Sequence, residues 1–154
     1  MRLVVAVVGK ARNPALGEAI RDYETRAARY WPLDVHEVRE ERATGNSVEK
    51  VKEREGARLA ERIPESAQTV ACEHGGRAFD SSQFADLLRR AREDDRDLAF
   101  LIGGAFGLNA DVSARATLKL SLAPWTLPHE IARLVLAEQI YRAGTIVRGE
   151  PYHK

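Results

Sequence analysis

The sequence predicts an α/β domain in which a mostly parallel sheet is flanked by helices on both faces. Two observations carry that reading. Short apolar runs alternate with stretches of helical period from one end of the chain to the other, and 154 residues are enough for one hydrophobic core but too few for two. The runs lie at residues 3–8, 33–38, 69–72, 98–102 and 118–122. Between the first two, residues 14–30 place Leu16, Ile20, Tyr23 and Ala27 on one helical face, with Asn13 as cap and Pro14 in the first turn. A second helix follows Asn46, with Val48, Val51, Ala57 and Leu59 on a charged background, and a third follows Ser81, with Phe84, Leu87, Leu88 and Ala91. A short one starts after Asn109. The last, over residues 128–142, carries Ile131, Leu134, Val135, Leu136 and Ile140, a stripe broad enough to be buried on two sides. Strands that alternate with helices need crossover connections, and these give a parallel sheet covered on both faces.

Composition narrows the function classes. Hydrophobic residues make up 44% and charged residues 31%, which suits one folded domain over residues 1–154. The single cysteine, Cys72, excludes an internal disulfide and a cysteine-based zinc site, and no metal is expected. The first apolar run is too short for a secretory or membrane segment, so the expected location is the cytoplasm. A formal net charge of +1 argues against a general polyanion binder and leaves nucleic-acid contact to a local patch.

Ligands of parallel sheets bind beyond the carboxyl ends of the strands. Ile102-Gly103-Gly104-Ala105-Phe106-Gly107 stands at one such end, and it reads equally as a tight turn or as backbone opened to a ligand. No dinucleotide fingerprint follows the first strand, and no phosphate-cradling loop of the GxxxxGK[ST] kind occurs. Residues 120–128 form a loop that should be polar but holds Leu122, Ala123, Pro124, Trp125 and Leu127. Core or dimer packing is one explanation. The other is an apolar cofactor pocket read through backbone groups, whose walls suit a sulfonium cofactor such as S-adenosylmethionine. Thr126 is also placed to cap the last helix. Among the four histidines, His36 and His74 read as solvated or capping residues. His129 shares a helical face with Arg133, which could hold a phosphate or a cofactor carboxylate. The tail adds Tyr152, able to stack on a base, and His153, which titrates near neutrality. Arg142, Arg148 and Lys154 make that end positive for RNA phosphates, although Arg142 is also spaced to pair with Glu138.

Several motifs together resemble one family across nearly the whole chain. They are Val7-Val8-Gly9-Lys10, Gly76-Arg77 with Phe79 and Ser81-Ser82-Gln83-Phe84-Ala85, and Leu101-Ile102-Gly103-Gly104 with Gly107. Leu120-Ser121-Leu122, Thr126-Leu127-Pro128-His129 with Arg133, Glu138-Gln139-Ile140-Tyr141-Arg142-Ala143, and Gly149 with Pro151-Tyr152-His153-Lys154 complete the set. This pattern is similar to the RlmH-type methyltransferases of the SPOUT superfamily. The resemblance implies a homodimer with a C-terminal trefoil knot that binds S-adenosylmethionine and methylates N3 of a pseudouridine in large-subunit ribosomal RNA, within the ribosome. It also implies cofactor contacts at Cys72, Gly103, Gly104, Leu122, Ala123, Pro124, Trp125, Thr126 and Leu127, mostly through backbone. His153, Tyr152, His129 and Arg133 are the residues implied at the reaction, with His153 as base, and Arg142, Arg148, Tyr152 and Lys154 those on RNA. Trp125, Ala123-Pro124 and Glu130 depart from the family pattern. Two readings of other classes stand beside it: a non-catalytic ribosome-binding dimer, and an α/β enzyme that uses a nicotinamide cofactor.

Overall fold

Six consecutive buried residues open the fold as β1 (Leu3–Val8), and their alternation decides which residues meet which layer. Leu3, Val5 and Val7 join the larger core with Phe100, Ile102, Leu136 and Ile140, whereas Ala6 and Val8 meet Val38, Leu59 and Leu101 on the other face. The chain, described over residues 1–153 by a computed structural model, continues through α1 (Pro14–Ala27), β2 (Leu33–Val38), α2 (Val48–Ala60) and β3 (Gln68–Ala78). It then forms α3 (Ser81–Glu93), β4 (Leu98–Ile102), α4 (Ala110–Arg115), β5 (Leu118–Ser121), α5 (His129–Val147) and a closing 3₁₀ turn over Pro151–His153. The side chain of His153 and all of Lys154 lie outside the described residues, and so do the roles expected of them.

All neighbouring strands pair in parallel, in the order β2-β1-β4-β3-β5. The larger core lies on the face covered by α5, which packs against both α1 and α3. That is the two-sided burial its broad stripe predicts. Gly144 permits part of it, since the Tyr30 ring lies where a Cβ would stand. Trp31, fully buried beside them, donates from Nε1 to the Ile140 carbonyl at 3.0 Å. Each such large side chain taken from water stabilises the fold by about 1.5–3 kcal/mol.

The starts of the helices follow local chemistry. Asn13 accepts from the amides of Ala15 and Leu16, Ser47 from Lys50, and Asn109 from Val112, while Asp80 and Gln83 form a reciprocal capping box. Several boundaries differ from the expectation, and the last helix runs past Arg142 to Val147. The first helix stops at Ala27, because residues 28–31 turn inward to bury Trp31. Thr126 does not cap α5; Pro128 holds that position, and no side chain bonds the first turn. The third strand does not end at Cys72. Its pairing with β5 jumps from Cys72 to Arg77, so residues 73–76 bulge out of the sheet before the strand resumes. Among the described residues, no helix is long and apolar enough to cross a membrane.

Candidate active site

The bulge, the turn after β4 and the loop after β5 leave the sheet at the same end and enclose a cavity of about 300 Å³. Cys72, Glu73 and His74 line one side, residues 102–108 the floor, and Leu122, Ala123, Trp125, Thr126 and Leu127 the opposite wall, with His129 and Ala132 from α5. Of the expected cofactor residues, all but Pro124 line this space.

The floor is fixed by its own backbone. The Gly107 amide donates to the Gly104 carbonyl at 3.0 Å, and Gly107 closes the turn at φ 81°. Gly103 sits so close beneath that turn that a Cβ there would lie 2.7 Å from the Gly107 carbonyl oxygen and the Leu108 nitrogen. The tight-turn reading of the glycines therefore holds. The turn demands them, and the turn is the floor of the cavity. Behind Gly104 stands Glu55 of α2, 4% exposed, whose Oε1 accepts from the Glu41 amide at 3.0 Å while Oε2 has no hydrogen-bond partner among the described residues. Burial raises its pKa above the ordinary carboxyl value.

The facing wall is of another kind. Trp125 is 76% exposed and Phe106 43%, both at the rim of the cavity, and Ser121 secures the loop by donating to the Ala123 carbonyl at 2.7 Å. Cys72 supplies a neutral surface, since burial pushes its thiol up to about 12. Glu73 is occupied by the Ser113 hydroxyl at 2.8 Å and by the Lys119 ammonium at 3.6 Å. His129 is a polar group left available beside them. Its Nε2 is buried without a hydrogen-bond partner among the described residues, 3.7 Å from Glu40 Oε1.

The remaining expected residues are placed elsewhere. Arg133, one turn beyond His129, turns to α1 and β2. Its Nε meets Glu24 at 2.8 Å and its Nη1 meets Glu37 at 2.6 Å. Burial lowers its pKa, but the two carboxylates outweigh burial and hold it above the ordinary arginine value. Its charge is thus committed to joining three elements, and breaking such a buried pair costs about 3–5 kcal/mol. Tyr152 packs edge-on against Tyr141 at 4.6 Å and donates to Glu138 at 3.1 Å, with the Arg142 guanidinium 4.9 Å from its ring. Burial, reinforced by the bonds to Tyr23 and Glu138, pushes its phenol well above the ordinary range. Arg142 pairs with Glu138 at 2.6 Å, as their spacing predicts, and Arg148 lies over the Tyr30 ring. Among the described residues, no three potential ligands gather in a way that could hold a metal.

Sequence reasoning missed Glu73, Leu108, Ala132 and the supporting Glu55, and it read His74, which lines the cavity, as a solvated or capping residue. The Gly75-Gly76 pair was the available signal for the bulge, since a Cβ on Gly76 would lie 2.6–2.7 Å from the backbone of Lys119 and Leu120.

Comparison with known proteins agrees with this architecture. A family model described as "Predicted SPOUT methyltransferase" matches residues 1–153. The Ribosomal RNA large subunit methyltransferase H of Gemmatimonas aurantiaca is 58% identical over 154 residues, covering 100% of both chains. The protein of that name from Syntrophotalea carbinolica is 41% identical over 154 residues, covering 99% of both. Among solved structures, a Bordetella pertussis protein described as a probable methyltransferase superposes with a TM-score of 0.55 at 14% identity, over 92% of this chain and 95% of that one. A Legionella pneumophila protein solved with bound SAM gives 0.50 at 12% identity, over 93% and 66%. At such identities the structures speak for the fold, whereas the family model and the relatives match over essentially the full chain. The chain belongs to the SPOUT methyltransferase family.

Proposed function

We propose that this chain, as one catalytic domain working in a cytoplasmic homodimer, transfers a methyl group from S-adenosylmethionine to N3 of a pseudouridine in large-subunit ribosomal RNA. The observation that carries the proposal is the cavity itself, with a floor of glycine backbone and a wall of apolar side chains where the strands end. Its residues fit the cofactor. Ile102, Leu122, Leu127 and Ala132 offer flat apolar surface to an adenine, the Gly103–Gly104 backbone allows close approach, and among the described residues no lysine or arginine lines the space to repel a sulfonium. When bound, S-adenosylmethionine supplies an electrophilic methyl group on a positively charged sulfur. The names of the relatives support ribosomal RNA as substrate.

The chain's own residues must orient the acceptor and remove its imide proton. His129, with Nε2 buried at the cavity, is placed to hold the acceptor base. In this reading Trp125 stacks on a nucleotide at the mouth. Tyr152 packs beside residues 138–142, which by the helical rise lie about 14–20 Å along α5 from His129. A chain therefore does not bring its own Tyr152 to its own cavity. A second copy, docked on the half-exposed Ile131, Leu134 and Val135, would supply Tyr152 and the proton acceptor His153, with Arg142, Arg148 and Lys154 beside them for RNA phosphates. Arg133 has a structural part in this scheme.

Methyl transfer from isotopically labelled cofactor to ribosomes, separated subunits and stripped RNA, followed by location of the modified nucleotide, tests the proposal. Label at N3 of one pseudouridine is the expected result. Particle binding without transfer, or without cofactor affinity, would return the chain to the non-catalytic ribosome-binding reading.

A further inference from the structure

A second concavity adjoins the first and shares none of its lining residues. It is a groove of about 1080 Å³ beyond the ends of β1 and β2, lined by Gly9, Lys10 and Arg12 on one side and residues 37–44 on the other. Its charges do not cancel. Glu37 is held by Arg133, Glu41 by Arg54 and Arg58, and Glu40 by Arg12. The hydrogen bond from Arg58, with Arg54 in support, holds Glu41 below the usual carboxylate range, so that it stays ionised and matched. The three acidic side chains are thereby neutralised, two of them by arginines outside the groove. Lys10, Arg39 and Arg42 remain, all exposed or half-exposed and without a side-chain hydrogen bond or ion pair among the described residues. They contrast with Arg142 in the tail region, whose charge is already matched by Glu138.

The groove is also preformed and connected to the chemistry. Gly9 adopts φ 86°, and a Cβ there would lie 2.6 Å from Glu40 Oε1, so glycine lets the β1 loop close against the opposite bank. Glu40 belongs to that bank, and His129, 3.7 Å from it, belongs to the cavity. The two concavities share a wall.

We propose that this groove is a phosphate-binding track for the RNA strand, in which Lys10, Arg39 and Arg42 hold the backbone next to the nucleotide presented at the cavity. The inference rests on the proposed RNA methyltransferase activity. Three available cations around a trough of matched acids suit a polyanion, and phosphate contacts of this kind position a strand without reading its sequence.

The test compares full-length wild type with the triple variant Lys10→Gln, Arg39→Gln, Arg42→Gln. A control, Arg62→Gln, Arg90→Gln, Arg96→Gln, removes the same charge at the opposite end of the sheet. S-adenosylmethionine affinity, read by calorimetry, should be unchanged in both, which also reports that they are folded. With ribosomes as substrate, kcat/KM should fall at least tenfold in the groove variant and less than twofold in the control. The slope of log kcat/KM against log salt should flatten by about 2–3, at roughly 0.7–0.9 for each phosphate no longer neutralised. Restoring charge with Lys10→Arg, Arg39→Lys, Arg42→Lys should recover most of the rate. An active wild type matched by the groove variant in both rate and slope overturns the groove alone. A wild type that binds the cofactor but methylates no RNA overturns the activity, and the groove with it.

Discussion

The two sides of the cavity are built on opposite plans. The floor, residues 103–107, is determined by backbone: Gly103 has no room for a Cβ, Gly107 takes a left-handed φ, and Glu55 supports the turn from behind. The wall, residues 122–127, leaves Trp125 largely in solvent and has one short side-chain bond, from Ser121, to hold it. A preformed floor binds a ligand at little ordering cost, whereas an exposed apolar wall is completed by whatever covers it. On the proposed function, the rigid floor suits the cofactor, and the exposed Trp125 of the wall suits the macromolecular partners.

The largest expected effect comes from breaking the floor. Gly103→Val would drive its side chain into the turn's own backbone, not into the open cavity, so the turn must move as a unit. Affinity for S-adenosylmethionine should fall more than about 100-fold by calorimetry, with overpacking costing about 1–3 kcal/mol in a urea melt. Unchanged affinity would detach the turn from the cofactor. Next, deleting Tyr152–Lys154 should stop methylation and leave cofactor binding near wild type. Mixing that truncation with Gly103→Val chains makes the test sharper. If tails complete the neighbour's cavity, mixed dimers hold one good site, and an equal mixture should regain roughly a quarter of wild-type turnover. No recovery would place the tail on its own chain's cavity.

Smaller effects sharpen the contrast between the two sides. Trp125→Ala removes a side chain that packs on little, so the unfolding free energy should change by no more than about 0.5 kcal/mol, while KM for ribosomes rises several-fold. Destabilisation with normal KM would make the wall a core element. The least effect belongs to Glu55→Gln. Burial raises the folded pKa of Glu55, so its favourable contribution is complete below the ordinary value and is lost as pH rises through the folded pKa. The glutamine variant should therefore gain stability relative to wild type as pH rises above the ordinary carboxyl range toward neutrality. A difference that stays flat across that range would mean that Glu55 titrates normally.

Much of the site is legible in the sequence because its signals are local. Gly103-Gly104 at a strand end, and leucines and tryptophan in a loop that should be polar, mark the cavity within a few residues of one another. Arg133 misleads for the same reason. Helical spacing shows that it shares a face with His129, but its partners Glu24 and Glu37 are 109 and 96 residues away in the chain. The groove cations are hidden likewise, because whether Lys10, Arg39 and Arg42 are available depends on what neutralises Glu37, Glu40 and Glu41.

The sequence by itself determined the alternation of strands and helices, the cap at Asn13, the start of the short helix after Asn109, the double burial of the last helix and the glycine turn. Each depends on the period or the conformational limits of neighbouring residues. Only the tertiary structure decided the order β2-β1-β4-β3-β5, the bulge at residues 73–76, the burial of Arg133 between two carboxylates and the distance of Tyr152 from the cavity. These arise from contacts between segments far apart in the chain. Such contacts are chosen by packing and charge matching over the whole core, which no local pattern contains.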